Sequence, residues 1–251
     1  MTTPASASPD PFFYQRGPVG VLLIHGFPGS AAEMREMGQF LAGQGLTASG
    51  PLLPGHGTIP QELNRQTWRD WTAHVEHALT ELQAHCETVF VAGLSLGGLL
   101  ALWLGAHVPS IAGLILMAPG LQTTPLLHLT PLLKHVIKLV PGSFLPPDCV
   151  DPQTSGRIWK YDTLAVAAAH ELLKLQRVTR ALLPGIHQPV LVMLGDHDRT
   201  INPAGGREVI ESVSSTDKTL IWIDNSGHCL PADAGRQEVF RASYKWIMDH
   251  S

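Results

Sequence analysis

Charge is scarce in this chain. Only 15% of its 251 residues are Asp, Glu, Lys or Arg, and none lies between Glu87 and Lys134. With a net charge of −4 and no basic run interleaved with aromatics, it has no means of neutralising phosphates, which argues against a nucleic-acid partner. Cysteine is scarce too. Cys86, Cys149 and Cys229 are odd in number and lack Cys-x-x-Cys spacing, which excludes a disulfide framework and leads to the expectation of a reducing, cytoplasmic compartment. Residues 1–11 hold no basic segment followed by an apolar one, so they read as a flexible tail rather than a signal peptide. Neither Gly-x-Gly-x-x-Gly nor Gly-x-x-x-x-Gly-Lys-Ser/Thr occurs, so no dinucleotide, nucleoside triphosphate or other cofactor is expected. His74 and His77 lie three apart on an expected helix without a third ligand; a solvated face is expected there rather than a metal site.

The charge-free stretch could pass for membrane spans, but Pro109, Pro119, Pro125 and Pro131 break it, together with Gly97, Gly98, Gly105, Gly113 and Gly120. What remains is a strand, a helix and a strand, each apolar enough for burial on both faces. No basic amphipathic helix is present to hold the chain on a bilayer, so no stable membrane association is expected.

Strands are expected at 19–24, 46–53, 88–92, 111–117, 189–194 and 220–223, each short, apolar and bounded by Gly, Pro or Asp. Helical patterns fall between them at 31–44, 68–82, 96–107, 203–213 and 235–249. Such alternation predicts an α/β fold with a mostly parallel sheet covered by helices on both faces. The rhythm breaks over 121–184, read as an inserted cap between core segments 12–120 and 185–251, with one helix at 163–176. Leu126, Leu127, Leu129, Leu132, Leu133, Val136, Ile137, Leu139 and Val140 crowd its first part. Most are expected to be core of extra helices, and a minority to line an apolar tunnel.

Thr88-Val-Phe-Val-Ala-Gly-Leu-Ser-Leu-Gly-Gly98 is a strand, a serine turn and the start of a helix. A serine on so sharp a turn needs neighbours without Cβ two positions either side, and Gly93 and Gly97 supply them. Ser95 is thus a candidate nucleophile, which needs a base to take its proton and an acid to orient that base. The loop after the strand at 189–194 offers Asp196 and Asp198, and the loop after the last strand offers His228. An acyl-transfer intermediate also needs two N–H donors for its oxyanion. Leu96 at the helix start is one; in His25-Gly26-Phe27-Pro28-Gly29, Phe27 is the other, since Pro28 has no N–H. Gly55-His56-Gly57 reads as a tight structural loop near the mouth of the site.

With these residues in place the chain resembles the α/β-hydrolase superfamily, and within it bacterial carboxylesterases and monoacylglycerol lipases. The resemblance rests on His25-Gly26-Phe27 with Gly29, Pro54-Gly55-His56-Gly57, Gly93-x-Ser95-x-Gly97-Gly98, Gly195-x-x-Asp198-x-x-Ile201-x-Pro203 and Ser226-Gly227-His228. It implies Ser95, Asp198 and His228 as the triad, in the chain order of that fold, with the N–H groups of Phe27 and Leu96 as oxyanion donors. It also implies a serine ester hydrolase acting on small esters, with monoacylglycerols first and short-chain esters or thioesters as alternatives. A ligand-binding receptor on the same fold is the non-enzymatic alternative.

Overall fold

The computed structural model describes residues 8–123, 125–141, 148–161 and 163–251, so residues 1–7 of the expected tail lie outside it. In chain order the elements open with β1 (Phe12–Tyr14), β2 (Val19–Ile24), α1 (Ala32–Gly43), β3 (Thr47–Gly50), α2 (Pro60–Leu63) and α3 (Trp68–Gln83). They continue with β4 (Thr88–Leu94), α4 (Leu96–His107), β5 (Gly113–Met117), α5 (Thr130–Leu133), β6 (Leu139–Pro141) and α6 (Thr154–Arg157). The remainder are β7 (Thr163–Ala165), α7 (Val166–Leu182), β8 (Val190–Gly195), α8 (Ala204–Ser212), β9 (Lys218–Ile223) and α9 (Arg236–Asp249).

A seven-stranded sheet runs in the order β1-β3-β2-β4-β5-β8-β9. All its neighbours are parallel except β1, which pairs antiparallel with β3. From β2 the chain crosses to β3 on one side, then returns past β2 to β4 and continues outward on the other. The carboxyl ends of β2 and β4 therefore flank the point where the order reverses, the place where open α/β sheets leave a crevice. Register puts Ile24 opposite Gly93, so the loops that follow both strands start side by side.

Helices cover both faces of the sheet. Phe90 of β4 meets Trp246 of α9 with ring centroids 5.9 Å apart, while Leu114 of β5 lies against Gly105 of α4. Trp71, Val75, Ala78, Leu79 and Leu82 of α3 are buried at three-to-four spacing, and Thr67 with Asp70 closes its first turn as a capping box. His77 is exposed on the opposite side, paired with Glu81 at 3.4 Å, whereas His74 is half-buried.

One strand is not foreseen and two expectations are corrected. Strand β1 has too few residues to show an alternation, and no strand is legible there. The helix expected at 163–176 starts at Val166 and runs to Leu182, because Thr163–Ala165 pair with Leu139–Pro141 in a small antiparallel ribbon. The leucine-rich run is not core. Leaving Leu126 aside, none of its members is buried; Leu132 is 77% and Val136 85% exposed.

Candidate active site

Ser95 occupies the turn between β4 and α4 with φ 54° and ψ −108°, a conformation that is uncommon for a residue with a Cβ. Its surroundings hold it there: its N–H donates to Met117 O at 2.9 Å and its carbonyl accepts from Gly120 N–H at 3.1 Å. The glycines around it are needed for close approach. A Cβ on Gly93 would collide with the Gly97 carbonyl, and one on Gly97 with the Ile24 carbonyl. Leu96 opens α4, so its N–H has no helical carbonyl to bond and lies at the positive end of the helix.

Two further loops carry the candidate base and acid. Nδ1 of His228 lies 2.8 Å from Oδ2 of Asp198, and Oδ1 of that carboxylate accepts the N–H groups of Thr200 at 2.9 Å and Ile201 at 3.1 Å. Asp196 faces elsewhere, onto His197 at 2.7 Å and the Ser226 N–H at 3.0 Å. The two aspartates, which the sequence leaves in competition, thus have different partners. The Ser226 N–H and His197 hold Asp196 down to about 2. Burial pushes Asp198 up, but the hydrogen bond and charge of His228 with the two N–H groups hold it below the usual carboxylate range. Burial alone would lower His228; Asp198, then Asp148 and Glu33, outweigh it and leave the imidazole above its ordinary value. Ser95 and His228 are both buried, and no hydrogen bond joins Ser95 Oγ to the ring, a looseness common in unliganded sites.

The loop after β2 is braced from beneath. His25 is fully buried, and Leu53 N–H can only donate to its Nε2 (3.1 Å) while Gly26 O can only accept from its Nδ1 (2.8 Å). These partners assign the proton to Nδ1 and keep the ring neutral, and burial accordingly lowers His25 to about 4. Gly26 N–H donates to Oε2 of Glu33 at 2.8 Å. Burial raises Glu33 to about 7, against the lowering effects of that bond and of His228. Phe27 lies between these anchors, with its ring against His56 and Trp71. In the Gly55-His56-Gly57 loop, Gly55 O accepts the Tyr161 hydroxyl at 2.6 Å, which ties the loop to the 121–184 segment.

Asp233, fully buried, escaped the sequence reading. Its carboxylate accepts the N–H groups of Val150 (2.9 Å), Asp151 (2.8 Å) and Gly227 (2.7 Å). Glu33 and Asp148 were also missed. The one available signal was an acidic residue set among apolar positions, as Glu33 is beside Met34 and Met37 on α1.

Residues 19–235 match the family described as serine aminopeptidase, S33 (Hydrolase_4). The chain belongs to this family. It is an α/β-hydrolase, and its relatives make it a carboxylic ester hydrolase. A thermostable monoacylglycerol lipase of Bacillus sp. (strain H-257) is 31% identical over 99% of this chain and 98% of its own. A carboxylesterase of Bacillus subtilis (strain 168) is 28% identical over 96% of each chain. Among solved structures, that of the metagenome-derived lipolytic enzymes LipS and LipT superimposes with a TM-score of 0.92 at 29% identity, covering 97% of this chain and 98% of the other.

Proposed function

We propose that this hydrolase cleaves monoacylglycerols through an acyl-enzyme on Ser95. The observation that carries the reading is the His228–Asp198 pair together with a serine held at positive φ in the turn between β4 and α4. In this scheme Ser95 Oγ attacks the acyl carbonyl carbon while Nε2 of His228 takes its proton. The N–H groups of Phe27 and Leu96 hold the oxyanion; losing one such donor lowers the rate by about 10² to 10³. Collapse of the intermediate breaks the ester C–O bond, and the imidazolium returns its proton to the departing alkoxide. Water, deprotonated by the same imidazole, then releases the acid and frees Ser95.

Residues 121–184 form the cap in this reading. Support comes from both of their attachments: they leave β5 beside Ser95 at Gly120, and Asp148 O accepts the His228 N–H at 2.8 Å. The leucine-rich run does not support a tunnel, so the substrate class rests on the relative at 31% identity. A cytoplasmic location is proposed from the cysteine usage, three in number and without Cys-x-x-Cys spacing.

The test compares initial rates on a medium-chain 1-monoacylglycerol, the matching diacylglycerol and a short p-nitrophenyl ester, with Ser95→Ala as the blank. The monoacylglycerol should be preferred, and Ser95→Ala should lower turnover by at least about 10³-fold. Cleavage of the short ester alone favours the second reading, a general carboxylesterase, which the Bacillus subtilis relative supports.

A further inference from the structure

The structure assigns Asp148 as a positioning residue that clamps the loop bearing Asp198 to the loop bearing His228. The inference rests on the triad reading above and adds to it a residue from the 121–184 segment. Three bonds converge on Asp148. Its Oδ2 accepts the N–H of Arg199 and, at 2.9 Å, the hydroxyl of Thr200, both in the loop that follows β8. Its main-chain oxygen accepts the N–H of His228 itself at 2.8 Å. One residue therefore touches both the residue next to the acid, 51 positions away in the chain, and the base itself. The approach is close enough that a Cβ on Gly227 would stand 2.5 Å from Asp148 O, so a glycine is required before His228.

The position of Asp148 does not depend on its own side chain. Asp233 pins the residues just after it, through the N–H groups of Val150 and Asp151, and pins the histidine loop through Gly227 N–H. Removing the Asp148 carboxylate therefore leaves the segment in place and removes two effects: the grip on Arg199 and Thr200, and a negative charge facing His228. Three carboxylates face that imidazole, Asp198 from the β8 loop, Glu33 from α1 and Asp148 from the inserted segment. All three favour its protonated form, which is the form that must develop as Ser95 attacks.

Asp148→Ala removes the charge and both acceptor bonds together. Against the substrate the wild type prefers, kcat should fall about tenfold or more with KM little changed, because misplacement of the base is felt in the transition state. The acid limb of kcat/KM should also move to lower pH, by roughly half a unit. A residue that served stability alone would leave that limb where it is. Thr200→Val keeps the charge and removes one bond of the clamp; kcat should fall a few-fold with the limb unmoved. An Asp148→Ala enzyme with a wild-type limb and kcat within twofold overturns the assignment. If that variant does not fold, an unchanged kcat in Thr200→Val does so instead. Activity surviving in Ser95→Ala would bring down the triad reading and the clamp with it, whereas an inert Ser95→Ala beside a wild-type Asp148→Ala removes the clamp alone.

Discussion

The site loops and the leucine-rich run invert the usual rule of charge outside and grease inside. Asp233 is 0% exposed and Glu33 7%, yet Val136 is 85% exposed and Leu132 77%. Asp233 stays inside because its oxygens meet the main-chain N–H groups of Val150 and Asp151, both partly buried, and of the buried Gly227. Leu132 and Val136 stay outside because α5 is a single turn and, among the described residues, neither α7, which packs against it, nor the two-stranded β6–β7 ribbon covers them. Burial here follows the supply of partners rather than hydropathy.

The sharpest contrast lies within one loop. Asp198→Asn should lower kcat by about 10⁴-fold, since an amide can no longer fix the tautomer of His228, while Asp196→Asn, two residues away, should stay within a few-fold. Equal losses in the two variants would mean that the loop as a whole, not the carboxylate on Nδ1, supports the base. Asp233→Ala comes next. It leaves three main-chain donors without their acceptor, that of Gly227 buried and those of Val150 and Asp151 partly buried, and chemical denaturation should register a loss of about 1–3 kcal/mol. A loss under 1 kcal/mol would show water serving those donors equally well.

Glu33 tests the same inversion through pH. Its value is raised from 4.5 to about 7 in the fold, so its contribution to stability is complete below about 4.5, declines as pH rises towards 7 and is level above that. Across that window the wild type should lose up to roughly 3 kcal/mol relative to Glu33→Gln. Parallel stability curves for the two proteins would mean the carboxyl ionises as freely in the fold as outside it. The smallest effect belongs to the other region: Leu132→Ser and Val136→Ser should each change stability by less than about 0.5 kcal/mol. A loss of about 2–5 kcal/mol, the range for a core leucine, would return the run to the interior.

The parts of the candidate site that are legible in the sequence are local ones. Ser95 with its glycines, Phe27 beside Pro28, and His228 after Gly227 each sit within a strand-and-turn pattern whose spacing carries the geometric demand. The parallel sheet was legible for the same reason, since each strand is a bounded apolar run. Choosing Asp198 over Asp196 took the resemblance at the level of sequence; in the fold, the partners of each carboxylate separate them. Asp148 and Asp233 left no pattern, and Glu33 only that of an acid among apolar neighbours, because their carboxylates bind mostly main-chain N–H groups, which look the same at every position. The leucine run misled because a count of apolar residues records the wish for a partner and not its presence.

One consequence of the seam at Asp148 concerns how such a chain can change over generations. What the 121–184 segment gives His228 is a main-chain oxygen, and what it takes from Asp233 is a carboxylate that binds main-chain nitrogen. Its side chains join in as well: Thr154 Oγ1 donates to Ala232 O at 3.2 Å and to Asp233 Oδ1 at 3.3 Å, and Arg157 donates to Ala232 O at 3.1 Å. Change at this seam is therefore constrained twice over, by the phase of the main chain from Asp148 to Asp151 and by the Thr154 and Arg157 side chains that bond to the loop before α9.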